Sequence, residues 1–347
     1  MVLFPKIDSR KFSIKLKERD ISHTAVRMHR LTRQWSHFVR FVLFFIPEVV
    51  LLIWHIRRMK ADVVHCNGSW QLKGVIAGRM ARKKVVWHLN DTCMSPVVKR
   101  LFYVIAGLCS DGFIVAGQRV YDYYLKDTKL TEKPWCEIHA PVETDKFDPA
   151  VVEPAEKIRT ISGIKILTVA NINPRKGLEN FIEAAAVLSS RHDNLRFIIV
   201  GPVFKSQEKY YQKLCEMLSL HGLTNVTFTD QISDVRPYLK VADICLFTSE
   251  NEASPTSIWE AMSMGKAIVS TDVGSVSQHL RDGISGYIVP VGDVTLMTQR
   301  IEALLGNKTL RSQFENNARA SALHDLGIDL CALKHAEFYN KILGKRS

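Results

Sequence analysis

The sequence contains no glycine before Gly68. A phosphate-cradling turn needs residues that tolerate left-handed backbone and close ligand approach, so no glycine-rich loop can stand ahead of that position. Nor does a Gly-x-Gly-x-x-Gly follow any strand-like run, which argues against a nicotinamide-dependent dehydrogenase. Cysteine is scattered: Cys66, Cys93, Cys109, Cys136, Cys215, Cys245 and Cys331 include no Cys-x-x-Cys pair. Metal-site spacing is therefore missing, a disulfide framework is not expected, and a reducing cytoplasm suits the chain best. Long apolar runs are absent too. The richest stretch, residues 38–56, is interrupted by Arg40, Pro47 and Glu48, and falls short of the roughly 18–20 apolar residues of a spanning helix. It reads as a buried helix, kinked or broken at Pro47, with an interfacial membrane helix as the alternative.

What is present points to two domains. A chain of 347 residues outgrows one ordinary core. With 46% hydrophobic and 24% charged residues it has the composition of a folded, soluble or peripheral protein. Its net charge of +12 is uneven. The first 100 residues carry 20 Lys and Arg against 6 Asp and Glu, the remainder 27 against 29. Such asymmetry suits an anionic partner for the first third: membrane headgroups or a lipid diphosphate, with nucleic acid the weaker choice because no binding motif accompanies the charge. A merely solvated basic face is the plain alternative.

Residues 1–9 read as a short strand entering a loop, without a signal-peptide pattern. From residue 61 short apolar runs (61–66, 84–88, 112–115, 135–138) alternate with helical stretches (71–79, 96–108, 118–125). That alternation predicts a parallel sheet with crossover helices. Periodicity lapses over 141–163, the candidate linker, and then restarts. Strands are expected at 164–169, 195–200, 226–228, 242–247, 267–270 and 286–289, with helices between and three more from residue 293 onward. Two doubly wound α/β units put the default ligand site in the cleft at the carboxyl ends of the strands.

Three strand-to-helix junctions of the second half carry polar chemistry. In VANINPRKG (169–177), Lys176 precedes a helix opening at Gly177. A cation beside free N–H groups suits a diphosphate, although a surface lysine next to a turn glycine would read the same. Gly201-Pro202 lets a ligand approach the backbone, or simply makes a turn. The third junction, SENEASPTSIWEAMSMG (249–265), sets Glu252 in a loop and Glu260 on the following helix. There Ala253, Ser254, Pro255, Thr256 and Ser257 form the turn whose free N–H groups attract anions. Ile258, Ala261, Met262 and Gly265 make one helical stripe; Glu260 lies roughly opposite, facing either a cleft or plain solvent.

Residues 164–306 resemble the donor domain of the GT-B glycosyltransferases of family 4, a retaining, nucleotide-sugar-dependent group. The resemblance is carried by VANINPRKGLENFIEA, FIIVGP, GLTNVTF, SENEASPTSIWEAMSMGKAIVSTDVGS with its Glu-x7-Glu spacing, and DGISGYIVPVGD. DVVHCNG, VVWHLND and APVETDKFDP resemble the first domain more loosely. The sequence looks as though it begins after the family's first strand and glycine-rich loop. The resemblance implies two Rossmann-like domains, residues 1–150 on the acceptor side and 151–325 on the donor side, with 326–347 a terminal helix crossing back.

It implies roles as well. Glu252 would accept hydroxyls of the transferred sugar, Glu260 those of the ribose, and Lys176 would bind the donor diphosphate. His88 would reach the sugar and acceptor. Asn171 replaces a guanidinium common in the family, so Arg175 would share the charge with Lys176. No metal or other cofactor is expected, because no Asp-x-Asp follows a strand. The implied activity is hexosyl transfer from a nucleotide sugar to a glycan or polyprenyl-diphosphate-linked acceptor in bacterial polysaccharide assembly, at or near the inner face of the cytoplasmic membrane. The alternative is a non-catalytic, donor-binding member that pairs with another transferase.

Overall fold

The computed structural model describes residues 1–6, 9–29, 35–229 and 232–345. The chain divides into two compact units. One comprises Met1–Val115, Tyr121–Glu137 and Ala336–Ser347, the other Ala116–Val120 and Ile138–His335. Residues 138–150 thus cluster with the second unit.

The first unit opens with a parallel pair, β1 (Val2–Pro5) and β2 (His23–Val26), joined through α1 (Arg10–Glu18). Two helices follow, α2 (Trp35–Leu43) and α3 (Phe45–Arg58). A four-stranded parallel sheet comes next, in the order β3 (Val63–Asn67), β4 (Lys84–Leu89), β5 (Gly112–Val115), β6 (Trp135–Glu137). The crossovers are α4 (Leu72–Met80), α5 (Pro96–Cys109) and α6 (Gln118–Tyr124).

The helix pair α2–α3 departs from the sequence expectation twice. Its break is at Phe44, with a bend of 58°, and Pro47 sits in the first turn of α3. The first N–H groups of a helix have no partner within it, so a proline there costs nothing. Burial is also one-sided. Val49, Leu52 and Ile56 pack against Ala77 of α4 and Ala81 just beyond it, whereas Trp35, Leu43 and Ile46 are 75%, 68% and 73% exposed. Pinning the inner side is Glu48, itself buried. It accepts from Lys73 Nζ (2.5 Å) and from the backbone N–H of His29 (3.0 Å), and lies 2.6 Å from His29 Nδ1. Lys73 also donates to the His29 carbonyl and lies 4.0 Å from the Phe41 ring.

The second unit is built on a six-stranded parallel sheet: β7 (Ile164–Val169), β8 (Leu195–Val200), β9 (Val226–Phe228), β10 (Ile244–Phe247), β11 (Ala267–Thr271) and β12 (Tyr287–Val289). Spatially they run β12-β11-β10-β7-β8-β9. The chain therefore leaves β7 towards one edge, returns to β10 on β7's other side, and proceeds to the opposite edge. Its helices must cover both faces. One core forms under α8 (Leu178–Ser189), α9 (Glu208–Leu220) and α13 (Val294–Gly306), with Phe181, Leu214 and Ile301 at its centre. The other lies under α10 (Arg236–Val241), α11 (Thr256–Ser263) and α14 (Lys308–Asp325), with Trp259, Met262 and Ala322. The short helices α7 (Glu156–Arg159) and α12 (Val276–His279) join this second core.

Residues 141–163 are not a free linker. Val142, Val152 and Ile158 are buried in that core, and the Phe147 carbonyl accepts from Ser263 Oγ at 2.9 Å. Three prolines abolish the periodicity there but not the burial. The last helix, α15 (Ile328–Leu343), passes from one unit to the other at His335. Its far half buries Phe338 and Ile342 beside Gly112 of the first unit.

Candidate functional site

The strand order of the second sheet reverses between β7 and β10, and loops leaving the carboxyl ends of two such strands diverge to opposite faces, opening a crevice. The loop after β7 contains Asn171, Arg175 and Lys176; the loop after β10 contains Glu252 and leads to α11. Three contacts knit them together. Glu250 N–H donates to the Arg175 carbonyl at 2.8 Å, Thr248 Oγ1 donates to the Lys176 carbonyl at 3.1 Å, and Lys176 Nζ forms an ion pair with Glu252 Oε1. The second oxygen of Glu252 remains for other partners, and Ser249 Oγ donates to the paired one at 3.2 Å.

Backbone geometry brings these loops so close. Gly177, between the 3-10 turn Pro174–Lys176 and α8, has φ +57°, and a Cβ there would stand 2.2 Å from the Thr248 carbonyl oxygen. Gly201 plays the corresponding part beside β7: a Cβ there would lie 2.2 Å from the Ala170 carbonyl oxygen. The Pro202 carbonyl accepts from Ile172 N–H at 3.0 Å. Gly201 and Pro202 thus brace the loop that carries Lys176. Asn171 Oδ1 accepts from Asn173 Nδ2 at 2.8 Å, and Asn173 Oδ1 accepts from Arg175 N–H at 3.0 Å. Arg175 itself is exposed.

In the second loop, Ser254 is a structural member. Its hydroxyl oxygen accepts from Ala140 N–H at 3.0 Å and from Trp259 Nε1 at 3.1 Å. Pro255 is buried and its carbonyl starts the helix by accepting from Ile258 N–H. No side chain caps α11, so the N–H groups of Thr256 and Ser257 and the positive end of the helix dipole remain available at the end of the loop. Ala253 turns the chain there, its carbonyl meeting Ser275 Oγ at 3.4 Å.

Glu260, one turn into α11, is half-buried. Burial chiefly, then the nearby Asp234 carboxylate, pushes its carboxyl up to about 7, against the opposing pull of Lys176. Its side chain is neither fully solvated nor fully buried. Asp234 is a member that sequence reasoning missed. It is held by Arg236, with Nη2 at 2.6 Å and Nε at 2.8 Å, and that pairing together with its backbone bond keeps its own carboxyl below the usual range. The Asp-x-Arg-Pro spelling that opens α10 is its signal in the sequence.

His88 belongs to the other unit. It sits near the end of β4, half-buried, its ring 5.3 Å from that of His65, whose Nδ1 lies 2.6 Å from the Tyr339 hydroxyl. The structure therefore brings Asn171, Arg175, Lys176, Gly201, Pro202 and the stretch 252–260 together within one unit, and gives His88 a separate setting.

Known proteins share this architecture. Residues 156–321 match the family described as glycosyl transferases group 1. The putative glycosyltransferase EpsD of Bacillus subtilis is 27% identical over 76% of this chain and 72% of its own length. The N,N'-diacetylbacillosaminyl-diphospho-undecaprenol alpha-1,3-N-acetylgalactosaminyltransferase of Campylobacter jejuni is 24% identical, over 63% of this chain and 58% of its own. Among solved structures, Anabaena HepE in complex with UDP-glucose superposes with a TM-score of 0.82 at 19% identity, covering 95% of this chain and 89% of that one.

Proposed function

We propose that this protein, whose residues 156–321 belong to the group 1 glycosyl transferases and whose fold is that of the GT-B enzymes, moves a hexosyl group from a nucleoside diphosphate sugar to a saccharide acceptor. The observation that carries this reading is the Lys176–Glu252 ion pair at the switch point, beside the uncapped start of α11 and the half-buried Glu260. A cation and a free helix N-terminus suit the diphosphate, and two carboxylates suit two sets of sugar hydroxyls.

In this reading the ion pair is the resting arrangement of the donor site. The diphosphate draws Lys176 towards itself, and Glu252, released on one oxygen, accepts the hydroxyls of the transferred sugar. As the bond from the anomeric carbon to the diphosphate oxygen breaks, charge grows on that oxygen, where Lys176 and the α11 N–H groups stabilise it. The acceptor oxygen bonds to the same face of the anomeric carbon, and its proton passes to the departing diphosphate. Configuration is retained. Arg175 supplements Lys176, His88 serves the sugar and acceptor side, and no metal is required. The acceptor is a glycan or lipid-linked saccharide of a bacterial polysaccharide pathway. The name of the Campylobacter relative describes a diphospho-undecaprenol acceptor, and the basic first hundred residues suit anionic headgroups or a lipid diphosphate.

A thermal-shift panel of UDP-, GDP- and dTDP-sugars tests donor binding, because a ligand of the native state raises the melting point. One of them should raise it and then support transfer to a lipid-linked acceptor in the presence of EDTA. No shift with any donor would sink the proposal. A shift with neither transfer nor donor hydrolysis would favour the non-catalytic, donor-binding reading, for which the neutral Asn171, engaged by Asn173, speaks.

A further inference from the structure

We infer that α2 and α3 form a one-sided membrane anchor that lies in the headgroup layer of an anionic bilayer. Singly exposed apolar side chains are ordinary. Here they follow one another along a bent helix pair: Trp35, Leu43, Ile46, Val50 and Trp54 are all at least half exposed. A surface of that size and continuity marks a contact with something less polar than water. No single helix among the described residues is long and apolar enough to cross a membrane, although the bent pair α2–α3 together has the length and composition to do so. At 1.5 Å per residue α2 and α3 reach about 14 and 21 Å, against about 30 Å of hydrocarbon. The inner face is also committed, through Val49, Leu52, Ile56 and the buried Glu48–Lys73 pair. Lying on a bilayer keeps those contacts, whereas threading one would break the packing of Val49, Leu52 and Ile56 and strand the Glu48–Lys73 pair in hydrocarbon.

Charge selects the occupant. Between residues 35 and 60 the exposed ionic side chains are Arg40, Arg57, Arg58 and Lys60, and the single acid, Glu48, is buried. Arg58 holds its guanidinium 4.9 Å from the centre of the Trp54 ring, an apolar body with a charged tip of the kind that suits the boundary between acyl chains and phosphates. A second copy of the chain meeting this face symmetrically would set cations against cations. Anionic headgroups are complementary to it. In the same unit, α5 exposes a second apolar stripe, Val97, Leu101, Val104 and Leu108, next to Arg100.

The purpose of such an anchor rests on the lipid-linked acceptor proposed above, but its test does not. The full-length protein is floated with vesicles of phosphatidylcholine alone or mixed with phosphatidylglycerol, without donor or acceptor. Flotation is expected with the anionic vesicles, partly persisting at 0.5 M salt because the apolar part is unscreened, and with a blue shift of tryptophan emission. Leu43→Ser combined with Ile46→Ser should weaken vesicle binding by about 10-fold or more, with the melting point and donor thermal shift unchanged. Arg40→Glu with Arg58→Glu should remove the preference for anionic lipid, and serves if the first variant folds poorly. The inference is overturned if the wild type stays unbound, if both variants float like it, or if the face mediates a concentration-dependent dimer that the serine variant dissolves. Failure here leaves the transfer reading intact, and a transferase that fails the donor panel could still float.

Discussion

The two units treat apolar side chains differently. In the second, strands covered on both faces bury nearly all of theirs, and two cores flank the sheet. In the first, the smaller unit, Trp35, Leu43, Ile46, Val97 and Leu108 stand in the open. Hydrophobicity in a sequence records a preference for leaving water without recording the medium entered. The stretch 38–56 is as apolar as a core helix, and only the packing of its inner side against α4 distinguishes what the protein covers from what it leaves uncovered. The units differ in polar burial too. The first hides a charged cluster, Glu48–Lys73–His29, that ties its elements together, whereas the second keeps its Lys176–Glu252 pair partly exposed between the loops that follow β7 and β10.

Breaking that contrast at the crevice gives the largest effect. Glu252→Ala should lower sugar transfer by about 100-fold or more while the circular dichroism spectrum is preserved; a wild-type rate would remove Glu252 from the mechanism. Glu48→Ala should do the reverse, leaving Lys73 buried without its anion and costing about 3–5 kcal/mol in a denaturant titration. Replacing both partners, Glu48→Leu with Lys73→Met, should recover most of that loss. Gly177→Ala forces a Cβ against the Thr248 carbonyl in a left-handed backbone, and should destabilise the second unit by about 2–3 kcal/mol with a weaker donor thermal shift. The smallest effect concerns pH. The Glu260 carboxyl, pushed from 4.5 to about 7 by burial, stays protonated in the native state where the unfolded chain has already ionised. The native state therefore loses stability as pH rises from about 4.5 to about 7. Glu260→Gln should melt roughly 2–4 °C above the wild type at pH 8, the gap closing near pH 4.5; an equal gap at both would show that burial of the charge is not its cause.

Much of the second unit is legible in the sequence because its physics is repetitive. Parallel strands buried on both faces must be apolar through their centres, as residues 197–200 of β8, Ile244–Phe247 of β10 and residues 267–269 of β11 are. Their loops carry the polar chemistry because only there does backbone open towards a ligand. The Lys176–Glu252 pair itself is not legible: 76 residues separate its members, and only the order of strands in space unites them. Asp234 is hidden for the same reason. In the first unit α1 and β2 escape notice because each buries a single side chain, Leu16 and Val26, too few to make a period. Pro47 misleads in another way, since a proline reads as a break wherever it occurs, although the first turn of a helix accepts it.

The helix α15 has a consequence for how the chain is made. Phe338 and Ile342, which close over Gly112, are translated after the whole of the second unit. On the ribosome, the four-stranded sheet must therefore wait with that patch uncovered while some two hundred residues of its neighbour emerge and fold. Order of synthesis and order of completion are opposed: the unit that starts first finishes last. A stalled or proteolysed chain lacking Ala336–Ser347 would retain the whole of the second unit, with the proposed donor site, and yet expose an adhesive seam to chaperones and proteases.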